Sequence, residues 1–301
     1  MNDDRRSHET SNLRVFFDDQ LHHLQKLVSG LSSHIHREEQ SKEDQLIIET
    51  FVDASNNKMR AVDGYSDKLR EHVTGLYNHV LRVAEQIPAP TELNPNAFGV
   101  NPLINALFVN SNDIDKLVQN DHNVTVYSRD HNQYDFPTLY ALLTASKSEK
   151  RMLGMSLQGG ALIHGVSQLA INFSSHKLRI PCASSAELNT EMKKYLFGRV
   201  VALIKQEMLS RMIYQPFKTI PDDYQSRVKS LANPDVYLDA LIEYLENPSR
   251  LLSIKKNHFK LSKLGIKLND DDEQSANEFD IHELSWSDNT KNVILQVALT
   301  R

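Results

Sequence analysis

The feature that most constrains this chain is a run of apolar and small residues at alternating steps of four and three. Ile48, Val52, Ser55, Met59, Val62, Ser66, Leu69, Val73, Leu76, Val80, Val83 and Ile87 follow one another without a slip. A 3.5-residue repeat keeps one seam of a helix turned toward a partner along its whole length. No proline falls within 42–87, so a continuous helix there would be about 65–70 Å long at roughly 1.5 Å per residue. The weak helix formers Ser55, Asn56, Asn57, Gly64 and Gly75 offer the alternative, a kink or break at either cluster.

A second amphipathic pattern precedes it. Leu13, Phe17, Leu21, Leu24, Val28, Leu31 and Ile35 are spaced for one helical stripe. The charged stretch 37–44 reads as the connection, with Ser41 a candidate start for the second helix. Residues 1–11 are polar and frayed in this reading, and 12–87 form a coiled-coil-like helical hairpin. The first helix is about half the length of the second, so part of the seam, centred on Val73, Leu76 and Val80, is left for the body of the protein or for a second chain.

Prolines at 88, 90, 95 and 102 end the pattern and mark 88–102 as a turn-rich linker. The remainder, 103–301, reads as an α+β body. It opens with a short apolar segment at 103–109, a helix over 113–119 capped by Ser111 or Asn112, a strand at 124–127 and a helix over 137–147. An antiparallel β-meander follows over 152–180, turning at Gly159-Gly160. Ser184-Ser-Ala-Glu187 is a capping box before a long helix reaching residue 214, and two proline-bounded helices follow at 222–232 and 234–245. Strands return over 253–268 and 279–299, with Asp288-Asn289 as a turn and Val293, Leu295, Val297 and Leu299 alternating.

Of 301 residues, 40% are hydrophobic and 24% charged, enough apolar material for a core. A formal net charge of −5 denies the chain the overall positive field of a general nucleic-acid binder. The longest apolar runs fall far short of the roughly 20 residues that cross a bilayer, and the polar start lacks a signal segment. The single cysteine, Cys182, rules out an intrachain disulfide and fits a reducing, cytoplasmic setting.

Chemistry-bearing residues are few. His22, His23, His34, His36, His72 and His79 lie in the helical segment, but no pair stands three or four apart in the manner of helical metal sites, so no metal and no cofactor is expected. Cys182 precedes a helix N-terminus, where a thiolate is favoured, with His164 and His176 upstream. That pattern carries the enzyme reading. Gly154, Gly159, Gly160 and Gly165 lack the Lys-Ser/Thr of a phosphate loop and read as turn and bulge glycines. The stretch 250–267 contains Arg250, Lys255, Lys256, Lys260, Lys263 and Lys267 and no acidic residue. It reads as a lysine-bearing edge strand, followed by an acidic run at 270–273. The alternative is phosphate contact through Lys255, Lys256, Lys260 and Lys263. The leading expectation is a non-enzymatic interaction, scaffold or regulatory protein of bacterial type, self-associating or binding a protein partner through the helical arm. Nucleic acid comes second, and an enzyme site near Cys182 third.

Overall fold

The computed structural model describes residues 37–131, 138–158, 161–213, 233–268 and 276–300. The helices expected over 13–35 and 222–232, the Gly159-Gly160 turn and the acidic run 270–273 lie outside the described residues. The elements in order are α1 (Arg37–Ser55), a 3₁₀ turn (Asn57–Ala61), α2 (Tyr65–Ala84), β1 (Thr91–Leu93), α3 (Pro95–Val100), α4 (Pro102–Leu107), α5 (Ser111–Asn120), α6 (His122–Asp130), β2 (Thr138–Gln158), β3 (Ala161–Cys182), α7 (Ser185–Ile213), α8 (Pro234–Leu245), α9 (Pro248–Leu251), β4 (Leu252–Ser262), β5 (Ala276–Trp286) and β6 (Lys291–Thr300). The fold is α+β, in two compact units: Met1–Ala84 with Lys193–Leu252, and Glu85–Met192 with Ser253–Arg301.

In the first unit the four-three pattern does not form one helix. Asn56 is extended and its side chain accepts a hydrogen bond from the Lys58 amide, starting the 3₁₀ turn. Gly64 then adopts φ 65°, a left-handed conformation natural to glycine. The turn is braced by Arg60, which pairs with Glu49 and Asp53 at 2.6 Å each, and by the Tyr65 hydroxyl, which donates to Glu49 at 2.6 Å. The seam keeps its phase across the break, because Met59 and Val62 are as buried as Val52 and Leu69. Helix α2 packs against α1, α8 and α9. The Tyr77 ring meets Phe197 of α7 edge-on at 5.2 Å, and His79 Nε2 is 2.7 Å from the Leu252 carbonyl.

The second unit is a six-stranded sheet in the order β3-β2-β6-β5-β4, with β1 beside β6. β1 runs parallel to β6, while β2–β3, β2–β6 and β5–β6 are antiparallel. After β4 the chain turns tightly. Gly265 (φ 74°) accepts from the Ile171 amide at 2.8 Å, and the Lys267 amide donates to Leu169 at 2.8 Å. The two ends of the strand order thereby meet, curling the sheet into an incomplete barrel. A Cβ on Gly265 would sit 2.8 Å from the Ile171 carbonyl, so glycine serves both the conformation and the approach. The barrel core joins Leu139, Leu143, Phe173, Phe259, Ile281 and Val297 to Ile104, Leu107 and Ile114 of the helices.

The stretch 37–44 expected as a connection is the start of α1, and the expected linker 88–102 carries β1 and α3; two further expected elements change type. The strand expected at 124–127 is α6: Asp121 caps it by accepting from the Asn123 and Val124 amides, and its other carboxylate oxygen accepts from the Leu178 amide of β3 at 3.0 Å. The helix expected over 137–147 is the start of β2. Its leucines recur at helical spacing because the strand is buried on both faces, Leu139 and Leu143 on one and Leu142 on the other, and double burial erases the alternation that marks a strand. The helix over 113–119 is capped one residue earlier than expected, by Asn110. The cap at Ser184 forms as read, the Glu187 amide donating to Ser184 Oγ at 3.2 Å, while the Glu187 carboxylate accepts from the Ala183 amide at 3.0 Å, one residue before the N-cap.

Candidate interaction site

β2 pairs with β6 only from Thr138 to Ala145. From Ser146 to Gln158 β2 pairs with β3 and no longer with β6, so the two strands leave the barrel as a ribbon. The turn after β4 covers the ribbon root at Leu169 and Ile171. Beyond it some seven residues of β2 continue, roughly 20–25 Å at about 3.3 Å per residue.

The root is pinned by charge. Lys147 lies 2.9 Å from Glu149 and 3.2 Å from Glu283 of β5, with the Lys147 and Glu283 side chains only 15% and 10% exposed. Its ammonium stands 5.4 Å from the Phe259 ring centre. Burial pulls the Lys147 pKa down, but the hydrogen bonds to Glu149 and Glu283 outweigh it and the group titrates above its ordinary value. The hydrogen bond from Lys147 holds Glu149 below the ordinary carboxylate range. The ribbon thus leaves the barrel in a fixed direction.

Its outer part is apolar and open. Met152, Leu153, Met155 and Ile163 are exposed, Leu153 by 75%; Leu153 and Met155 lie on one face of the ribbon, Met152 and Ile163 on the other. From 152 to 168 there is no Asp, Glu, Lys or Arg, and His164 is the one histidine. The register shifts between Gly154 and Met155. There Gln168 lies across the bare Gly154 backbone, where a Cβ would meet its Oε1 at 1.8 Å, and donates to the Met155 carbonyl at 2.8 Å. Isolated two-stranded ribbons are marginal in water, their edges present unpaired amides and carbonyls, and contiguous exposed apolar side chains mark surfaces that pack against something.

A groove with apolar side chains on its rim lies in the same unit. A groove of about 630 Å³ runs between α3, α4, the middle of β3 and the turn after β4. Val100, Val109 and Leu264 stand on its rim with 83%, 82% and 88% exposure. Its floor holds Asn105, which accepts from Asn277 at 2.8 Å and donates to the Phe98 carbonyl at 3.1 Å. Phe108, also lining the groove, is backed by His176 at a ring separation of 4.5 Å. Burial lowers the His176 pKa, opposed by a hydrogen bond to the Leu107 backbone and by Asp113.

The residues singled out in the sequence fall elsewhere. Val73, Leu76 and Val80 are 0% exposed, interior to the first unit. Lys255 and Lys256 point to opposite faces of β4, as neighbours on a strand must. Lys256 pairs with Asp280 at 2.8 Å, and Asp280, held below the ordinary carboxylate range by Lys256 and then His258, also meets His258 at 2.9 Å. Lys260 shares the face of Lys256, and Lys263 lies in the turn beyond the strand, so the four lysines are not gathered into one patch. Cys182 is 2% exposed and its thiol donates to the Ile180 carbonyl at 3.2 Å. His164, eighteen positions earlier on β3, is roughly 55–60 Å away along the strand, and His176 faces Phe108. His72 and His79 lie on α2, while His22, His23, His34 and His36 lie outside the described residues. Among the described residues no three His, Cys, Asp or Glu side chains cluster to hold a metal, and no helix is long and apolar enough to cross a membrane.

Sequence reasoning missed the ribbon and the groove. The run of 152–155 looks like any buried strand, and only the packing around it reveals that Met152, Leu153 and Met155 are exposed. In comparisons with protein-family models, curated proteins and solved structures, nothing matches the chain.

Proposed function

We propose that this chain is a non-enzymatic interaction protein that presents the outer β2–β3 ribbon to another protein. The observation that supports it is the exposed group Met152, Leu153, Met155 and Ile163 on a ribbon whose root is fixed by the Lys147–Glu283 pair. A rigid root lets the tip meet a partner without a large loss of conformational freedom, and the side chains it offers are those whose burial drives association. Met in particular adapts to irregular apolar surfaces.

The test places a photo-crosslinking amino acid at Leu153 in the full chain, with Lys58, an exposed residue of the first unit, as the control position. Discrete adducts from position 153 and none from position 58 are expected. A Leu153 variant that crosslinks no more than the Lys58 variant overturns the reading.

A further inference from the structure

Ten large apolar side chains are exposed among the described residues, and seven of them fall in two places: Met152, Leu153, Met155 and Ile163 at the ribbon tip, and Val100, Val109 and Leu264 on the groove rim. Both belong to the second unit. They cannot meet within one chain. The groove is lined by Ile171 and Asn172, eight or nine positions along β3 from Ile163, or roughly 27–30 Å in a straight paired strand.

We infer that the partner of the ribbon is a second copy of this chain, each tip seated in the groove of the other across a two-fold axis. This rests on the reading that the ribbon is an interaction surface, and it names the occupant. Two ribbons laid side by side and antiparallel bring each tip to the other's root, which is where the groove lies, and the tip-to-groove spacing is by symmetry the same in both copies. An isologous contact of this kind closes on itself and leaves no open end.

Area favours the reciprocal arrangement. Leu153 and Met155 share one face of the ribbon; with the three rim side chains, at on the order of 100 Å² of apolar surface each, one tip in one groove covers on the order of 500 Å². A specific interface needs roughly 1,000 Å² or more, which one tip in one groove does not reach and the reciprocal pair does. Charge is compatible. The tip carries no acid or base but His164, and the groove lining carries only Lys263. Lys150 and Arg151 stay beside the root of their own chain, where β2 pairs with Ala170 and Leu169, away from the partner's Lys263.

The experiment uses two full-length chains distinguished by tags, one with Met155→Cys and one with Leu264→Cys. The native Cys182 is buried and common to both. A disulfide needs Cα atoms within about 7 Å, so tip and rim can be joined only between copies. Mild oxidation of the mixture is expected to give a mixed disulfide dimer, and Met155→Cys mixed with Lys58→Cys is expected to give none. No more mixed dimer with Leu264→Cys than with Lys58→Cys overturns the two-fold docking. If that result comes while a crosslinker at Leu153 still captures other proteins, the docking falls and the interaction reading stands; if Leu153 captures nothing, both fall.

Discussion

Replacing Leu76 by alanine separates a core seam from an interface seam. Leu76 is 0% exposed, on a helix that packs against α1, α8 and α9, and its neighbours one and two steps along the seam, Val73, Leu69, Val80 and Val83, are buried as well. Truncation there removes buried methyl and methylene groups and leaves a cavity that the helix backbones cannot close. Substitutions of this type cost about 2–5 kcal/mol, and about 3 kcal/mol is expected here. At roughly 2–4 °C per kcal/mol the melting temperature falls by about 6–12 °C. Leu153→Ala, at a side chain already 75% exposed, is the companion variant and should change stability by no more than about 0.5 kcal/mol. Thermal unfolding followed by circular dichroism at low and high protein concentration, with sedimentation on the same samples, reads both quantities. Leu76→Ala is expected to melt early at every concentration and to sediment as wild type does. A Leu76→Ala chain that melts within about 1 °C of wild type while dissociating in sedimentation would refute the assignment of the seam to the interior.

Two further changes follow from the ribbon root and the groove wall. Glu283→Gln removes the carboxylate 3.2 Å from the half-buried Lys147 and should cost about 1.5–3 kcal/mol, the range for hydrogen bonds to charged groups, with faster amide exchange along the inner ribbon. Lowering the pH from neutral should weaken the fold through His176. Its folded pKa lies below the ordinary 6.5, so below pH 6.5 the unfolded chain binds more protons than the folded one. The stability contributed is complete above that value and is lost as pH falls toward the folded pKa. His282, lowered by burial and then by Lys256, adds in the same direction. His176→Phe, which keeps the stack on Phe108, should flatten the melting-temperature profile between about pH 6.5 and 5, and an unchanged slope would remove His176 from the account.

Several elements were legible because a local signal coincided with a tertiary one. The Ser184–Glu187 capping box starts α7, the proline at 234 begins α8, and Val293, Leu295, Val297 and Leu299 alternate because only one face of β6 enters the barrel core. The four-three seam was legible as burial but not as a single helix: Asn56 and Gly64 interrupt the backbone while the apolar phase runs on through Met59 and Val62. Where the environment overrode the local pattern, the reading failed. Val124-Thr-Val-Tyr127 is rich in strand formers, yet the side chain of Asp121 fixes it as a helix start. Thr138 to Ala145 is buried on both faces, Leu139 and Leu143 on one and Leu142 on the other, so its leucines do not alternate. The interaction site was not legible at all. Exposure of Leu153 depends on β6 ending opposite Ala145, and the groove depends on Gly265 returning to β3. Both are facts of strand pairing between distant parts of the chain.

The most direct measurement is sedimentation velocity of the full chain and its Leu153→Asp variant over a wide concentration range. A charge at a tip that is 75% exposed leaves the fold intact, but buried in an interface it lacks a partner and costs about 2 kcal/mol or more, at least thirtyfold in the dissociation constant. Wild type is predicted to pass from monomer to dimer as concentration rises, and Leu153→Asp to remain monomeric with the melting temperature that wild type shows at low concentration. Identical sedimentation of the two chains at every concentration contradicts the account.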